Sequence, residues 1–411
     1  MKVLVFAHRL EVGGTQVNAI ELAAALRDAH GHEPVLFATP GPMVELATDK
    51  GLRFIPAPDA GRHPSPARMR ALRAAVRRES PDLVHAWDWP QCLDAYYGVH
   101  LTRAVPLLVT VMSMVVPRLI PRAVPTTFGT PELLDRARSA GRHRLGLLLP
   151  PVDVHQNAPG AVDGKEFRAA YGFDADDILL VTVSRLVEFL KLEGLRRTVR
   201  AMAVLGREIP PLRFAIVGDG PARRDLERLA SETNDALGRP AVVLTGALVD
   251  PRPVYAAADV VVGMGGSSLR ALAFAKPTVV VGEQGFASAF TPETADHFRY
   301  FGMYGLGDGD EDNAPLIAEL RRIVSQPERF APLGEFSRDF ILRHYSLESV
   351  TEQLDMLCRE AVAGRSPLRV RVADGVRTAT VQVAGGVLPQ GLRRQLTRLM
   401  TAGPPETPTR A

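Results

Sequence analysis

VVVGMGGSSLRALAFAKPTVVV, residues 260–281, sets a buried strand, a glycine–serine turn, a short amphipathic helix and a second buried strand end to end. A turn of small residues at a helix start leaves backbone N–H groups unpaired and pointing outward. With the positive end of the helix dipole they form a seat for an anion, phosphate above all. Ser267 and Ser268 can cap that helix or give hydroxyl donors to the anion. An ordinary strand–turn–helix connection would look the same, so the neighbouring motifs and their order carry the weight.

The same format recurs upstream. In ILLVTVSRLVEFLKLEG a strand, Ile178–Val183, runs into Ser184, Arg185 and, after a short loop, Lys191 and Gly194. Cations just beyond a parallel strand end can clamp a diphosphate, arginine through its fork and lysine as a point charge. RFAIVGDGPARRDLERLA repeats the pattern with strand Phe214–Val217, then Gly218-Asp219-Gly220 and Pro221, a residue suited to a first helical turn. AVVLTGALVDPRPVYAAAD repeats it again, with Thr245 and Gly246 at the turn. Beyond the central stretch, GEQGFASAF is a loop that brings Glu283, Gly285 and Phe286 toward the expected crevice. Successive units of this kind predict a doubly wound, nucleotide-binding type of domain.

The first half has its own series. Lys2–Ala7 is a buried strand, and Gly13-Gly14 stands between it and a helix whose apolar positions include Val17, Ile20, Ala24 and Leu26. A double glycine there lets backbone approach a ligand closely, though the same turn often serves packing. PDLVHAWDWPQ ends a strand in His85, Trp87, Asp88 and Trp89, at the kind of strand end where open α/β sheets place ligands. His85 or Asp88 is the site candidate, and the tryptophans also fit a core. In RHPSPARMRALRAAVRRES, arginines from Arg62 to Arg78 surround a stripe of Met69, Leu72 and Val76. This reads first as a solvated helix face and second as a patch for anionic lipid or an acidic partner. Thr130 is a helix cap candidate in GTPELLDRARSAG.

LGLLLPPVDVHQNAPGAVDG, residues 145–164, is the domain joint, rich in proline and glycine. A chain of 411 residues then divides into domains at 1–150 and 151–335, a helical segment at 336–365 that can return to the first domain, and an extension at 366–411. In the extension, LRVRVADGVRTATVQVAGG reads as a hairpin, a basic helix follows, and the tail PPETPTRA is expected to be disordered. Lys+Arg 49 against Asp+Glu 46 gives a formal charge of +3, which implies no nucleic-acid partner. Cys92 and Cys358 match no metal or redox spacing, and the N-terminal apolar run is too short for a signal segment. A cytoplasmic protein with no membrane span is expected.

EVGGTQ, PDLVHAWD, LLPPVD, VSRL with Lys191, FAIVGDGP, and LTGALVD through ALAFAKPTVVVG occur in one order over residues 1–360. In that order the chain resembles the retaining glycosyltransferases of the GT-B fold, closest to family 4. The resemblance implies two Rossmann-like domains facing across a cleft, a UDP- or GDP-type sugar donor on the second domain, and a sugar, lipid or secondary-metabolite acceptor on the first. Arg185 and Lys191 would hold the donor diphosphate, Gly265, Gly266, Ser267 and Ser268 would offer it amides, and Gly218, Gly246 and Leu248 would lie beside the donor. Gly13 and Gly14 would approach from the other side, and His85 or Asp88 would face the sugar. No metal or cofactor is implied. Contact with the inner membrane face would run through Arg62–Arg78.

One departure stands out. The family's two hallmark glutamates fall here on Val262 and Arg270, with no acidic residue between Asp259 and Glu283. A carboxylate accepts hydrogen bonds from ribose hydroxyls, whereas arginine only donates. The reading is therefore a glycosyltransferase with altered donor recognition. The alternative is a catalytically silent GT-B protein that scaffolds a partner enzyme.

Overall fold

The computed structural model describes residues 1–309 and 313–387. They form two compact units, one from Met1–Pro151 together with the chain from Leu347 onward, the other from Val152–Ser346.

The first unit is built on β1 (Lys2–Phe6), β2 (Glu33–Ala38), β3 (Arg53–Pro56), β4 (Leu83–Trp87), β5 (Leu107–Val111), β6 (Thr126–Phe128) and β7 (Leu145–Leu147). Their order is β3-β2-β1-β4-β5-β6-β7, and every pair is parallel. Strands β4 and β5 are buried at every residue, as parallel strands covered on both faces must be. The order reverses between β1 and β4, so the crevice opens where Phe6 and Trp87 end their strands.

Helix Leu347–Ala363 puts Val350, Leu354, Leu357, Cys358 and Ala361 into the same core as Val5 and Leu22. Burial of each large apolar side chain contributes about 1.5–3 kcal/mol, so packing decides this return. Asp355, 2.6 Å from His32 Nε2, fixes its register.

The second unit carries β8 (Ile178–Val183), β9 (Leu212–Val217), β10 (Val242–Gly246), β11 (Val260–Gly263), β12 (Thr278–Val281) and β13 (Ala287–Ala289). The order is β10-β9-β8-β11-β12-β13, parallel except for β13. Here the switch point lies between β8 and β11, beyond Val183 and Gly263. Gly194 lets helix Glu193–Glu208 press onto the sheet, since a Cβ there would come within 2.9 Å of Val281.

Three expectations are corrected. A boundary at residue 335 would cut helix Phe330–His344, which stays whole in the second unit. The stretch read as a hairpin is one helix, Leu368–Val387. Its alternating valines and threonines favour a strand locally, but anchors on the first unit override them. Tyr96 and Tyr97 donate to the carbonyls of Arg371 and Gly375 at 2.6 and 2.8 Å, and Asp374 accepts from the Ala123 amide at 2.7 Å. The arginine patch is also thinner than its sequence suggests. Arg68 is buried, donating to Pro58 O and Thr39, and Arg73 donates to Gly98 O. The basic helix and the tail PPETPTRA lie outside the described residues. Thr130 does cap its helix, accepting from Leu133 N at 3.2 Å. No described helix is long and apolar enough to cross a membrane.

Candidate active site

In the second unit, Lys191 sits in a kinked turn, Glu188–Leu192, where Leu190 adopts φ 64°. Its side chain enters a recess at the switch point together with Thr182, Ser184, Gly194, Gly263 and Met264. Burial, and then the neighbouring Arg185 charge, push the ammonium down to about 8. No ion pair among the described residues neutralises it. A half-buried cation whose charged neighbour is another cation is destabilised until an anion joins them.

Across the recess, helix Gly266–Ala273 starts from Gly265, whose φ of 59° suits glycine. The Gly265 amide is taken by Met303 O at 2.7 Å, but the amides of Gly266, Ser267 and Ser268 have no acceptor among the described residues. Neither serine caps the helix, contrary to one reading of the sequence, because both lie inside its first turn. Ser267 Oγ is 3.1 Å from the Tyr255 hydroxyl. Ser268 Oγ is fully buried with no hydrogen-bond partner among the described residues and would lie 3.3 Å from a Cβ on Gly263. Arg270 folds back over the same turn, with Nη1 3.5 Å from Gly266 O, too long for a firm hydrogen bond. Val262, its partner in the expected glutamate pair, is 2% exposed inside β11.

The other candidates on this unit have packing and hydrogen-bond contacts of their own. Gly218 packs against the Ser184 carbonyl, its amide donates to Gly246 O at 2.9 Å, and Leu186 N donates to Asp219 O at 2.9 Å. This holds the loop bearing Arg185. Leu248 packs against the core around Phe167 and Val254. In the loop after β12, Glu193 takes the amides of Gln284 and Gly285 at 3.0 and 2.8 Å, and Glu283 accepts from Tyr304 at 2.6 Å. Phe286 stacks beside His297.

In the first unit the two candidates on β4 separate. His85 is 1% exposed in mid-strand, with Nε2 2.7 Å from Thr110 Oγ1, and burial drives its pKa down to about 3. It is a neutral core residue out of reach of a substrate. Asp88, one residue past β4, is part-exposed and held at φ 72°. Such a backbone in a non-glycine residue costs on the order of 1–3 kcal/mol and clusters at functional sites. His8, at the end of β1, feels the Asp88 charge, but burial and then the Arg68 and His63 charges hold its pKa low. His8 escaped the sequence reading, although the strand-end rule that selected Asp88 applies to it equally. Gly14 opens helix Gly14–His30 with nothing within 4 Å of an added Cβ, and at Gly13 only the flexible Gln16 is close. Packing therefore does not demand this pair of glycines.

Comparisons with known proteins bear on the family and the fold. Residues 12–145 match the model of Glycosyltransferase Family 4, and residues 177–299 match that of Glycosyl transferases group 1. A GDP-mannose-dependent alpha-(1-6)-phosphatidylinositol monomannoside mannosyltransferase of Mycolicibacterium smegmatis is 29% identical over 236 residues, 54% of this chain and 57% of the relative. The chain thus spans little more than half the length of that curated relative. A glycosyltransferase from Rickettsia africae superposes with a TM-score of 0.71 at 14% identity, covering 88% of this chain and 98% of that one. Anabaena HepE in complex with UDP follows at 0.68 and 15%, covering 87% and 99%. The fold shared with these structures is GT-B, two Rossmann-like domains.

Proposed function

Since the chain belongs to the group 1, family 4-like glycosyltransferases, we propose that it transfers a hexose from a nucleoside diphosphate sugar to an acceptor hydroxyl, with retention and without a metal. One observation carries the reading. Among the described residues Lys191 has no ion-pair partner, Arg185 is its charged neighbour, and the amides of Gly266, Ser267 and Ser268, at the start of the helix after β11, have no acceptor. A diphosphate supplies what all of these groups lack.

The donor diphosphate lies on the second unit. Arg185 and Lys191 neutralise it, and the amides of Gly266, Ser267 and Ser268 hold its oxygens. These groups gain most as charge builds on the departing phosphate. The bond from the anomeric carbon to the phosphate oxygen breaks while the acceptor oxygen bonds to that carbon on the same face. The acceptor proton passes to the leaving phosphate. Asp88 and His8 serve the acceptor on the first unit, a sugar, lipid or other hydroxyl compound.

Arg270 alters the ribose end of the site by offering donors in place of an acceptor. GDP-mannose, named for the curated relative, and UDP-glucose are the donors to try first. Titration calorimetry with both tests the proposal. Binding of either, weakened by about 1.5–3 kcal/mol in Lys191→Ala, supports it. No heat from either nucleotide sugar at millimolar concentration overturns it.

A further inference from the structure

A separate group of cations lies at the opposite edge of the first unit's sheet. Pro106, Pro125 and Arg144 lead directly into β5, β6 and β7, so this is the N-terminal edge, away from the strand ends bearing His8 and Asp88. A small recess there is lined by Arg144, Arg365, Arg371, His100, Gly364 and Ser366.

Arg371 is the centre of it. Its residue is 8% exposed, one terminal nitrogen donates to His100 O, and its Nε is buried with no acceptor among the described residues. Arg144 donates to Ala123 O at 3.2 Å and Ser366 Oγ at 3.3 Å, and burial lowers its pKa. His100 is held neutral at about 4, mainly by burial, with the Arg371 and Arg144 charges adding to it and its bond to Val105 O opposing. The nearby acids do not answer these charges. Asp374 is engaged by the Ala123 amide and Arg377, and Glu360 touches Arg144 only through its field. Among the described residues no ion pair reaches Arg144, Arg365 or Arg371.

Three guanidinium groups around one small recess, one with an orphaned buried N–H, match the forked hydrogen bonding of a tetrahedral oxyanion. We propose that this recess is a second anion site, distinct from the donor diphosphate seat, that takes a phosphoryl group. The lining comes from the end of helix Leu347–Ala363, from the following linker and from helix Leu368–Val387, as well as from the sheet edge. Occupancy therefore fastens the C-terminal helix to the first unit.

Hydrogen exchange read by mass spectrometry tests this on the full chain carrying Lys191→Ala, which weakens phosphate binding at the donor seat. Inorganic phosphate and a hexose phosphate are compared with chloride at matched ionic strength. Peptides spanning residues 361–376 are expected to exchange about tenfold more slowly once the anion is about tenfold above its Kd. Protection by inorganic phosphate, or by the hexose phosphate alone, supports the site and identifies the source. The protection should vanish in Arg371→Gln and weaken in Arg365→Gln, whose exposed side chain can change without disturbing the fold. No protection by either anion, or equal protection in Arg365→Gln and the parent, overturns the proposal.

Discussion

Gly218 and the Ser184 carbonyl are packed so closely that a Cβ on Gly218 would overlap the Ser184 oxygen, and Gly218 has a φ of 148°. The glycine that reads as a nucleotide contact is the support under the loop that carries Arg185. Gly218→Ala should therefore destabilise the protein by roughly 2–4 kcal/mol and weaken donor binding by displacing that loop. Urea unfolding combined with donor titration checks it. A variant as stable as the parent would show that the contact can relax.

Lys191 links function to stability with opposite signs. Its folded pKa, about 8, lies below the ordinary 10.5 of lysine. The unfolded state therefore binds more protons between those values, and the buried charge weighs against folding below pH 8. Lys191→Met should raise the melting temperature of the free protein by a few degrees, on the order of 2 °C, while it weakens donor binding by about 1.5–3 kcal/mol. Donor affinity in the parent should also fall as pH rises through 8 and the ammonium is lost. A lower melting temperature in the variant would contradict the account.

Asp88 is the residue on which the acceptor side is tested. Asn tolerates a positive φ, so Asp88→Asn should fold normally and keep donor binding. Turnover should drop by about 100-fold if the carboxylate handles the acceptor or its proton. Unchanged turnover would leave the φ of 72° as a purely structural feature.

Acid sensitivity should come in part from buried histidines that lie away from the donor seat. His85 and His100 have folded pKa values of about 3 and about 4, both below the ordinary 6.5. As pH falls below 6.5 the unfolded chain gains protons that the folded one refuses, so stability declines toward pH 4. Replacing His85 by Gln should remove part of that decline, a change on the order of 1–3 kcal/mol in the slope's integral, without altering donor binding. Equal acid curves for the two proteins would remove His85 as a cause.

Arg270→Glu restores an acceptor where the ribose hydroxyls are expected. Use of ordinary UDP- or GDP-hexoses should improve by up to tenfold, about 1.4 kcal/mol, roughly the worth of one hydrogen bond. Loss of activity in a well-folded variant would assign Arg270 a positive role of its own.

Local sequence pointed to two largely parallel α/β sheets and to the cations beyond β8, because buried parallel strands and strand-end turns leave period and composition marks that need no distant partner. Arg185, Lys191 and the Gly265–Ser268 turn were legible for that reason. What the sequence could not hold was which side of a strand or turn each residue faces. His85 and Asp88 stand three positions apart, yet only packing makes one a core residue and the other an exposed, strained strand end. Tertiary structure alone turned Gly218 into a brace, made a helix of a strand-like valine run, and gathered Arg144 and Arg371 from distant segments around one recess. Those outcomes depend on long-range burial and on unpaired polar groups, which are properties of three-dimensional neighbours and leave no local pattern in the chain.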